Sequence, residues 1–139
     1  MEVFFYGLFM DRDILLKNGV NPVNPRTACL NGYALKIGNR ASLLPSEGAK
    51  SWGVVMTVEE QAMKALYAEA SVADYIPESV VVVTEDGQRI EAICYNLPAH
   101  LMTGTNEAYA RSLYELACKL KFPGEYLDEI LKMAGAPKH

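Results

Sequence analysis

The stretch Glu2–Met10, EVFFYGLFM, decides how the fold begins. Its apolar, aromatic part over residues 3–6 is typical of a buried strand. Gly7 ends this strand, since glycine allows a sharp turn or the close approach of a ligand. Asp11 is the predicted N-cap of the short helix DRDILLKN that follows. Such an arrangement can direct free N–H groups at an anion, but these residues alone favour a buried strand and an ordinary turn.

Length, composition and charge are those of an ordinary globular protein. The 139 residues are 50% hydrophobic and 22% charged, with a net charge of −4 and a pI of about 5.2. The negative balance predicts neither a nucleic acid nor an anionic membrane as partner. No apolar run is long enough to span a bilayer and no signal peptide precedes the first strand, so we expect a cytoplasmic protein.

The cysteines and histidines do not form the pattern of a disulfide framework or a metal site. Cys29, Cys94 and Cys118 are scattered in apolar sequence, which favours reduced thiols in the core. His100 and His139 lack the spacing of metal ligands, so we expect no metal.

Five segments have the composition or alternation of strands, in a chain too short for two cores. Gly32 predicts a bend in the second segment, and Glu85-Asp86-Gly87 predicts a hairpin between the last two. We expect one α+β domain, residues 1–139, with a closed or nearly closed sheet. Its strands are predicted at Val3–Tyr6, Thr27–Ile37, Ser51–Val58, Ser79–Thr84 and Gln88–Tyr95. Loops are predicted at 19–26 and 45–50, the latter following a short strand at Ala41–Leu44.

Capping signals predict the middle helix. Thr57 and Glu60 fit the capping box S/T-x-x-E, which predicts a helix from about Glu59 to Ala70. A link begins at Ser71.

Further signals predict the two C-terminal helices. Asn106 or Thr105 caps the first of them. Pro123 breaks it, and a short final helix ends at Gly135.

Few residues point to chemistry by themselves. Glu69 lies about 120° from the centre of its helix's apolar face, and its local sequence favours a solvated surface carboxylate. Tyr6, Tyr75, Tyr95 and Tyr109 lie at the ends of predicted elements, where a tyrosine buries its ring and keeps its hydroxyl wet, or lines a pocket. The sequence contains no phosphate loop or dinucleotide glycine pattern, and no catalytic triad can be argued.

Motifs in the first half of the chain resemble the gamma-glutamylcyclotransferase-like family. That family opens with a strand ending in a Tyr-Gly-Ser-Asn/Leu-Met/Leu loop, here Tyr6–Met10. A Pro-x-x-Gly loop, here Pro45 to Gly48, then leads to a Val-Trp-Gly-Val-Val strand, here Ser51–Val55. A helix ending Leu-Asp-x-x-Glu-Gly follows, here Ala65–Ala70.

The resemblance continues to the end of the chain. Tyrosines recur after that helix (Tyr75), at the end of the hairpin (Tyr95) and at the start of the closing helix (Tyr109). The family's Leu-Pro-x-x-Tyr pattern is matched at Phe122–Tyr126. Each motif is weak alone, but their order and spacing are moderately specific.

The resemblance implies a small mixed β-barrel flanked by helices that releases 5-oxoproline from a γ-glutamyl compound without a cofactor. It implies that Glu69 is the general acid/base and that the Tyr6–Met10 loop holds the glutamyl group. The partner is then a small γ-glutamyl molecule. The implied substrate-binding residues are Tyr6, Gly7, Leu8, Phe9, Met10, Tyr75 and Tyr109.

Departures from the family pattern leave alternatives open. Leu8 replaces the usual serine, Phe9 a smaller or polar residue, and Leu66 and Ala70 the Asp and Gly around the glutamate. The protein is therefore a γ-glutamyl enzyme, a catalytically degenerate relative that binds a ligand or serves a structural role, or another amide-processing enzyme. A cavity with Glu69 in its wall favours an enzyme; Leu8 and Phe9 filling that space favours the degenerate relative.

Overall fold

Five strands form a closed barrel in the computed structural model, which describes residues 1–69 and 72–135. The order around the barrel is β1-β3-β2-β4-β5; β1 closes it by pairing in parallel with β5, whereas the other neighbours are antiparallel. The predicted mixed barrel with flanking helices is confirmed. The strands are β1 (Glu2–Phe5), β2 (Val23–Ile37), β3 (Ala41–Thr57), β4 (Ile76–Thr84) and β5 (Arg89–Asn96).

Helices cover the barrel, and each contributes to a common core. Leu15, Met63, Leu113 and Ile130, one from each helix, are fully buried and join the strand residues of this core. The helices are α1 (Arg12–Lys17), α2 (Glu60–Leu66), α3 (Glu107–Lys119) and α4 (Gly124–Met133). Within the described ranges, none of them is both long and apolar enough to cross a membrane.

The caps of α1 and α3 are those that the sequence predicts. Asp11 accepts a hydrogen bond from the Asp13 N–H at 2.9 Å, and Asn106 accepts one from the Tyr109 N–H at 2.9 Å. The predicted break at Pro123 is also confirmed, since Pro123 is the N-cap of α4. Local signals therefore locate these termini correctly.

The long β2–β3 hairpin differs from its prediction. β2 begins at Val23, inside the predicted loop at 19–26, and β3 is one strand where a short strand, a loop and a second strand were predicted. Lys50 pairs with Asn31 and Pro45 with Tyr33, so residues 46–49 are accommodated as an irregularity opposite Gly32. The predicted bend at Gly32 is confirmed by its φ of +85° and the register shift there.

The middle helix was predicted too long. It ends at Leu66, and its N-cap is Glu59, without a side-chain hydrogen bond. The predicted capping box is wrong, because Thr57 ends β3 and donates its hydroxyl proton to Glu2 of β1.

The remaining sequence expectations concern the cysteines and a few single positions. Cys118 is exposed, not in the core, whereas Cys29 and Cys94 are buried free thiols. The predicted helix end at Ala70, the link starting at Ser71 and His139 lie outside the described residues.

Gly53 explains part of the Trp-Gly-Val-Val motif. A Cβ atom on Gly53 would lie 2.2 Å from the carbonyl oxygen of Phe5 and 2.8 Å from the Phe4 ring. Glycine within a strand marks such a close approach. The motif therefore lets β1 lie tightly against β3, which positions the loop after β1.

Candidate functional site

The loop after β1 is a short 3-10 turn over Leu8–Met10. The Met10 N–H donates to the Gly7 carbonyl at 3.0 Å, and the Leu8 N–H donates to the Tyr109 hydroxyl at 3.2 Å. Among the described residues, no acceptor is found for the Phe9 N–H. The loop is therefore not a turn whose amides all bond to backbone carbonyls. The Leu8 N–H is bound by the Tyr109 side chain of α3, and the Phe9 N–H can donate to a ligand.

Tyr109 explains why residue 7 is glycine. A Cβ atom on Gly7 would lie 2.4 Å from the Tyr109 hydroxyl oxygen. The φ of Gly7 is −108°, which other residues also adopt, so the requirement is space and not backbone conformation. The hydroxyl thus holds the Leu8 amide and excludes a side chain at position 7.

A cavity of about 300 Å³ opens beside this loop. Six of the residues that the resemblance implies as substrate-binding line it: Tyr6, Gly7, Leu8, Phe9, Tyr75 and Tyr109. Met10, the seventh, is buried and does not line it. The barrel therefore brings together side chains from β1, the 3-10 turn, the segment before β4, and α3.

Aromatic rings form much of the cavity wall. Tyr67 and Tyr95 stack with their ring centres 4.0 Å apart and an interplanar angle of 8°. The ring centre of Tyr75 lies 5.9 Å from that of Tyr67, and Phe9 meets Tyr67 edge-on at 6.3 Å. These rings offer an apolar surface to a ligand.

The hydroxyl groups of the cavity tyrosines bind mainly to the protein itself. Tyr6 donates to the Tyr95 carbonyl at 2.7 Å, and Tyr75 donates to the Ala41 carbonyl at 2.6 Å. Desolvation by burial is the largest cause in each case and raises the pKa of Tyr6, Tyr67, Tyr75 and Tyr109. These phenols are neutral hydrogen-bonding groups at physiological pH, not bases.

Arg40 is the one charged side chain that lines the cavity in the described part of the chain. One of its terminal nitrogens, Nη1, lies 3.3 Å from Oδ2 of Asp74, and its guanidinium carbon lies 6.0 Å from the ring centre of Tyr75. Its side chain is 33% exposed. The cavity thus combines aromatic walls with a single cation.

Glu69 lies outside the wall of this cavity. Its side chain is exposed, and it is not among the lining residues, although Tyr67 and Val72 on either side of it in the sequence are. The Val72 N–H donates to the Glu69 carbonyl at 3.0 Å, so the backbone of Glu69 is hydrogen-bonded to a residue that lines the cavity. The Glu69 side chain is thus exposed beside the cavity wall, and its role in the site stays a prediction.

The lining residues that the prediction missed include the charged Arg40 and the stacked pair Tyr67 and Tyr95. The sequence did indicate Tyr95, because a tyrosine at the end of a predicted strand can line a pocket. Tyr67 is the C-cap of α2, and Arg40 directly precedes β3. Nothing in their local sequence indicates that they meet. No group of histidine, cysteine and acidic side chains within residues 1–69 and 72–135 has the arrangement of a metal site.

Fold and cavity together define a small mixed β-barrel with a tyrosine-rich pocket beside its first strand. The sequence matches the family described as gamma-glutamyl cyclotransferase, AIG2-like, over residues 3–116. The chain belongs to this family.

Solved structures support the same fold. A gamma-glutamyl cyclotransferase superposes with a TM-score of 0.74 at 20% identity, covering 94% of this chain and 85% of that one. An uncharacterized protein from Homo sapiens gives 0.75 at 22% identity, covering 93% and 85%. YkqA from Bacillus subtilis superposes with a TM-score of 0.77 at 22% identity, and the match covers 100% of this chain and 56% of YkqA. Identities this low show the fold alone, and no curated protein matches the chain.

Proposed function

We propose that this protein is a gamma-glutamylcyclotransferase-like enzyme that releases 5-oxoproline from a γ-glutamyl amide or amine. The observation that carries the proposal is the cavity of about 300 Å³ beside the Gly7–Phe9 loop, in a chain of this family. Its size suits a small ligand, at the lower end of the roughly 300–1,000 Å³ common for such sites. Family membership supports the reaction class, and the cavity supports its location.

The reaction needs positioning and one proton shuttle. The α-amine of the substrate loses a proton, and its nitrogen attacks the γ-carbonyl carbon to close a five-membered ring. The original amide C–N bond then breaks, and the leaving amine gains a proton. No water is consumed, and because the attack is intramolecular, correct orientation supplies much of the rate.

Glu69 is the proposed general acid/base, because one carboxylate can accept the first proton and return it to the leaving amine. Its position between two lining residues, Tyr67 and Val72, supports this role. The Phe9 N–H is the proposed donor to the oxyanion that develops on the γ-carbonyl. Tyr109 holds the loop through Leu8, and Tyr6 and Tyr75 shape the wall around the substrate.

A second candidate is a family member that binds a ligand without converting it. Two observations favour it: the side chain of Glu69 is exposed, and Leu8 and Phe9 contribute apolar side chains to the cavity where the family pattern has a hydroxyl and a smaller residue. The cavity is open, however, so Leu8 and Phe9 do not fill it.

The decisive experiment measures 5-oxoproline release from a panel of γ-glutamyl amides. Glu69→Gln keeps the shape and removes the base, so we expect loss of turnover with substrate binding retained. Glu85→Gln, an exposed carboxylate in the β4–β5 turn, is the matched control and should be as active as wild type. Full activity of Glu69→Gln would exclude Glu69 from the mechanism. Binding without turnover by the wild type would favour the second candidate.

A further inference from the structure

Tyr67 lines the cavity and carries a hydroxyl group that the protein itself does not use. The hydroxyl groups of Tyr6 and Tyr75 donate to backbone carbonyls. The Tyr109 hydroxyl accepts the Leu8 N–H. Within residues 1–69 and 72–135, by contrast, the Tyr67 hydroxyl has no hydrogen-bond partner. Its hydrogen-bonding capacity is therefore left for a ligand.

The Tyr67 hydroxyl is also within reach of a small molecule. In the part of the chain that the structure describes, Tyr126 has the only fully buried side-chain oxygen or nitrogen without a partner. The Tyr67 oxygen also lacks a partner, so it is not sealed inside the core. Desolvation raises the pKa of Tyr67, and the neighbouring phenols of Tyr75 and Tyr109 raise it further. The group is therefore a neutral proton donor at physiological pH.

The ring of Tyr67 is held in place on both sides. Its face stacks on Tyr95 with the ring centres 4.0 Å apart, and Phe9 meets it edge-on at 6.3 Å. Its backbone N–H donates to the Met63 carbonyl at 3.0 Å, which ties it to the last turn of α2. A donor whose position is fixed before the ligand arrives loses little freedom on binding.

The stacked partner, Tyr95, is less suited to contact a ligand through its hydroxyl. Desolvation and the negative charge of Glu60 raise the pKa of Tyr95. Glu60 is an exposed residue of α2, so the Tyr95 hydroxyl lies close to a surface carboxylate that competes for its proton. Of the two stacked phenols, Tyr67 is thus the better donor to a ligand.

Two neighbours of Tyr67 belong to the proposed chemistry. Its ring contacts the ring of Phe9, whose N–H is the proposed oxyanion donor. Glu69, the proposed proton shuttle, follows two positions later, and its N–H donates to the Leu66 carbonyl at 3.3 Å in the turn that ends α2. One turn therefore carries the proposed shuttle and an unused neutral donor.

We infer that Tyr67 is a second oxyanion donor, whose hydroxyl donates a hydrogen bond to the γ-carbonyl oxygen of the substrate beside the Phe9 N–H. The inference rests on the proposed function for the reaction and adds a catalytic residue to it. The hydrogen bond strengthens as negative charge develops on this oxygen, so it stabilises the transition state more than the bound substrate. The phenol keeps its proton throughout.

Steady-state kinetics of 5-oxoproline release test this role in turnover. Tyr67→Phe removes only the hydroxyl oxygen, so we expect kcat to fall about 100-fold, as for other oxyanion donors, with little change in KM. Tyr114→Phe alters a tyrosine of α3 that does not line the cavity, and this matched control should be as active as wild type. An unchanged kcat in Tyr67→Phe, or a loss confined to KM, would overturn the assignment.

Two ring compounds test the same hydrogen bond without turnover. 3-Oxocyclopentanecarboxylate has a ring carbonyl where 5-oxoproline carries the former γ-carbonyl, and cyclopentanecarboxylate lacks it. By calorimetry, wild type should prefer the ketone, and this preference should shrink about three-fold or more in Tyr67→Phe, because one neutral hydrogen bond is lost. Tyr114→Phe should keep the full preference. An unchanged preference in Tyr67→Phe, or a wild type that binds the ketone no better than the plain ring, would contradict the inference.

The two measurements separate this inference from the proposed function. Neither ring compound can release 5-oxoproline, so the binding comparison does not depend on catalysis. An inactive wild type whose ketone preference depends on Tyr67 would contradict the proposed function and support the hydroxyl contact. An active wild type whose kcat is unaffected by Tyr67→Phe would support the proposed function and overturn the inference.

Discussion

The hydroxyl group of Tyr109 fixes the conformation of the loop that follows the first strand. The Tyr109 hydroxyl accepts the Leu8 N–H at 3.2 Å and occupies the space that a side chain at position 7 would need. The Tyr-Gly pair of the opening motif and the tyrosine of the closing helix are therefore parts of one contact. Residues about one hundred positions apart in the sequence depend on each other here.

This contact predicts a coupled pair of substitutions. Gly7→Ala should lower the free energy of unfolding by about 1–3 kcal/mol, because its methyl group overlaps the Tyr109 oxygen. Tyr109→Phe should cost about 1 kcal/mol, because the Leu8 N–H loses its acceptor. The double variant should be less destabilised than the sum of the two, since Tyr109→Phe removes the overlapping atom. Urea unfolding of the four proteins gives the coupling energy, and strict additivity would contradict the contact.

At the scale of elements, the N-terminus of α3 connects two parts of the site. Asn106 caps α3 through its side-chain oxygen and donates its side-chain N–H to the Asn39 carbonyl. One residue thereby fixes the helix that carries Tyr109 and the turn that carries Arg40. The position of these two cavity residues depends on one cap.

Two substitutions at Asn106 separate these roles. Asn106→Ala removes both bonds and should destabilise the protein by about 1 kcal/mol or somewhat more, as loss of an N-cap does. Asn106→Asp keeps the cap acceptor and places a charge near the positive end of α3, so it should recover most of that stability. It still lacks the donor to Asn39. Thermal or urea unfolding checks the order, and equal losses in both variants would show that the cap carries little of the stability.

At the scale of the whole molecule, the buried tyrosines predict how stability depends on alkaline pH. The pKa of Tyr67 is raised above its ordinary value of 10.0, mainly by desolvation. Above pH 10 the unfolded chain releases this proton while the folded protein retains it, so the stabilisation is present below pH 10 and is lost as pH rises.

Tyr67→Phe should therefore lose stability less steeply between about pH 10 and pH 11 than wild type, by up to about 1.4 kcal/mol per pH unit. No hydrogen bond of the Tyr67 hydroxyl is found among the described residues, so the variant should remain folded at neutral pH. Urea unfolding across this range measures both slopes. Parallel slopes for the two proteins would show that the phenol titrates equally in both states.

Local patterns were sufficient for most of the barrel. Apolar or alternating runs located all five barrel strands, and the side-chain caps at Asp11 and Asn106 located two helix starts. The errors fall where a local signal competes with distant pairing. Thr57 fits a helix cap in the sequence, but its hydroxyl bonds to Glu2 on β1. Residues 45–50 have the composition of a loop, but they lie within β3, and Pro45 and Lys50 at the two ends of this segment pair with β2.

The sequence by itself determined the barrel, the family and most of the residues around the opening loop, because strand alternation, caps and ordered motifs are encoded locally or in their spacing. Only the tertiary structure decided which side chains share the cavity. Tyr67 meets Tyr95, and Arg40 meets Tyr75, because closure of the sheet by β1 and β5 brings distant elements to one place. The exposure of the Glu69 side chain agrees with its local sequence, but only the tertiary fold places it beside the cavity wall, because the residues of that wall come from distant elements.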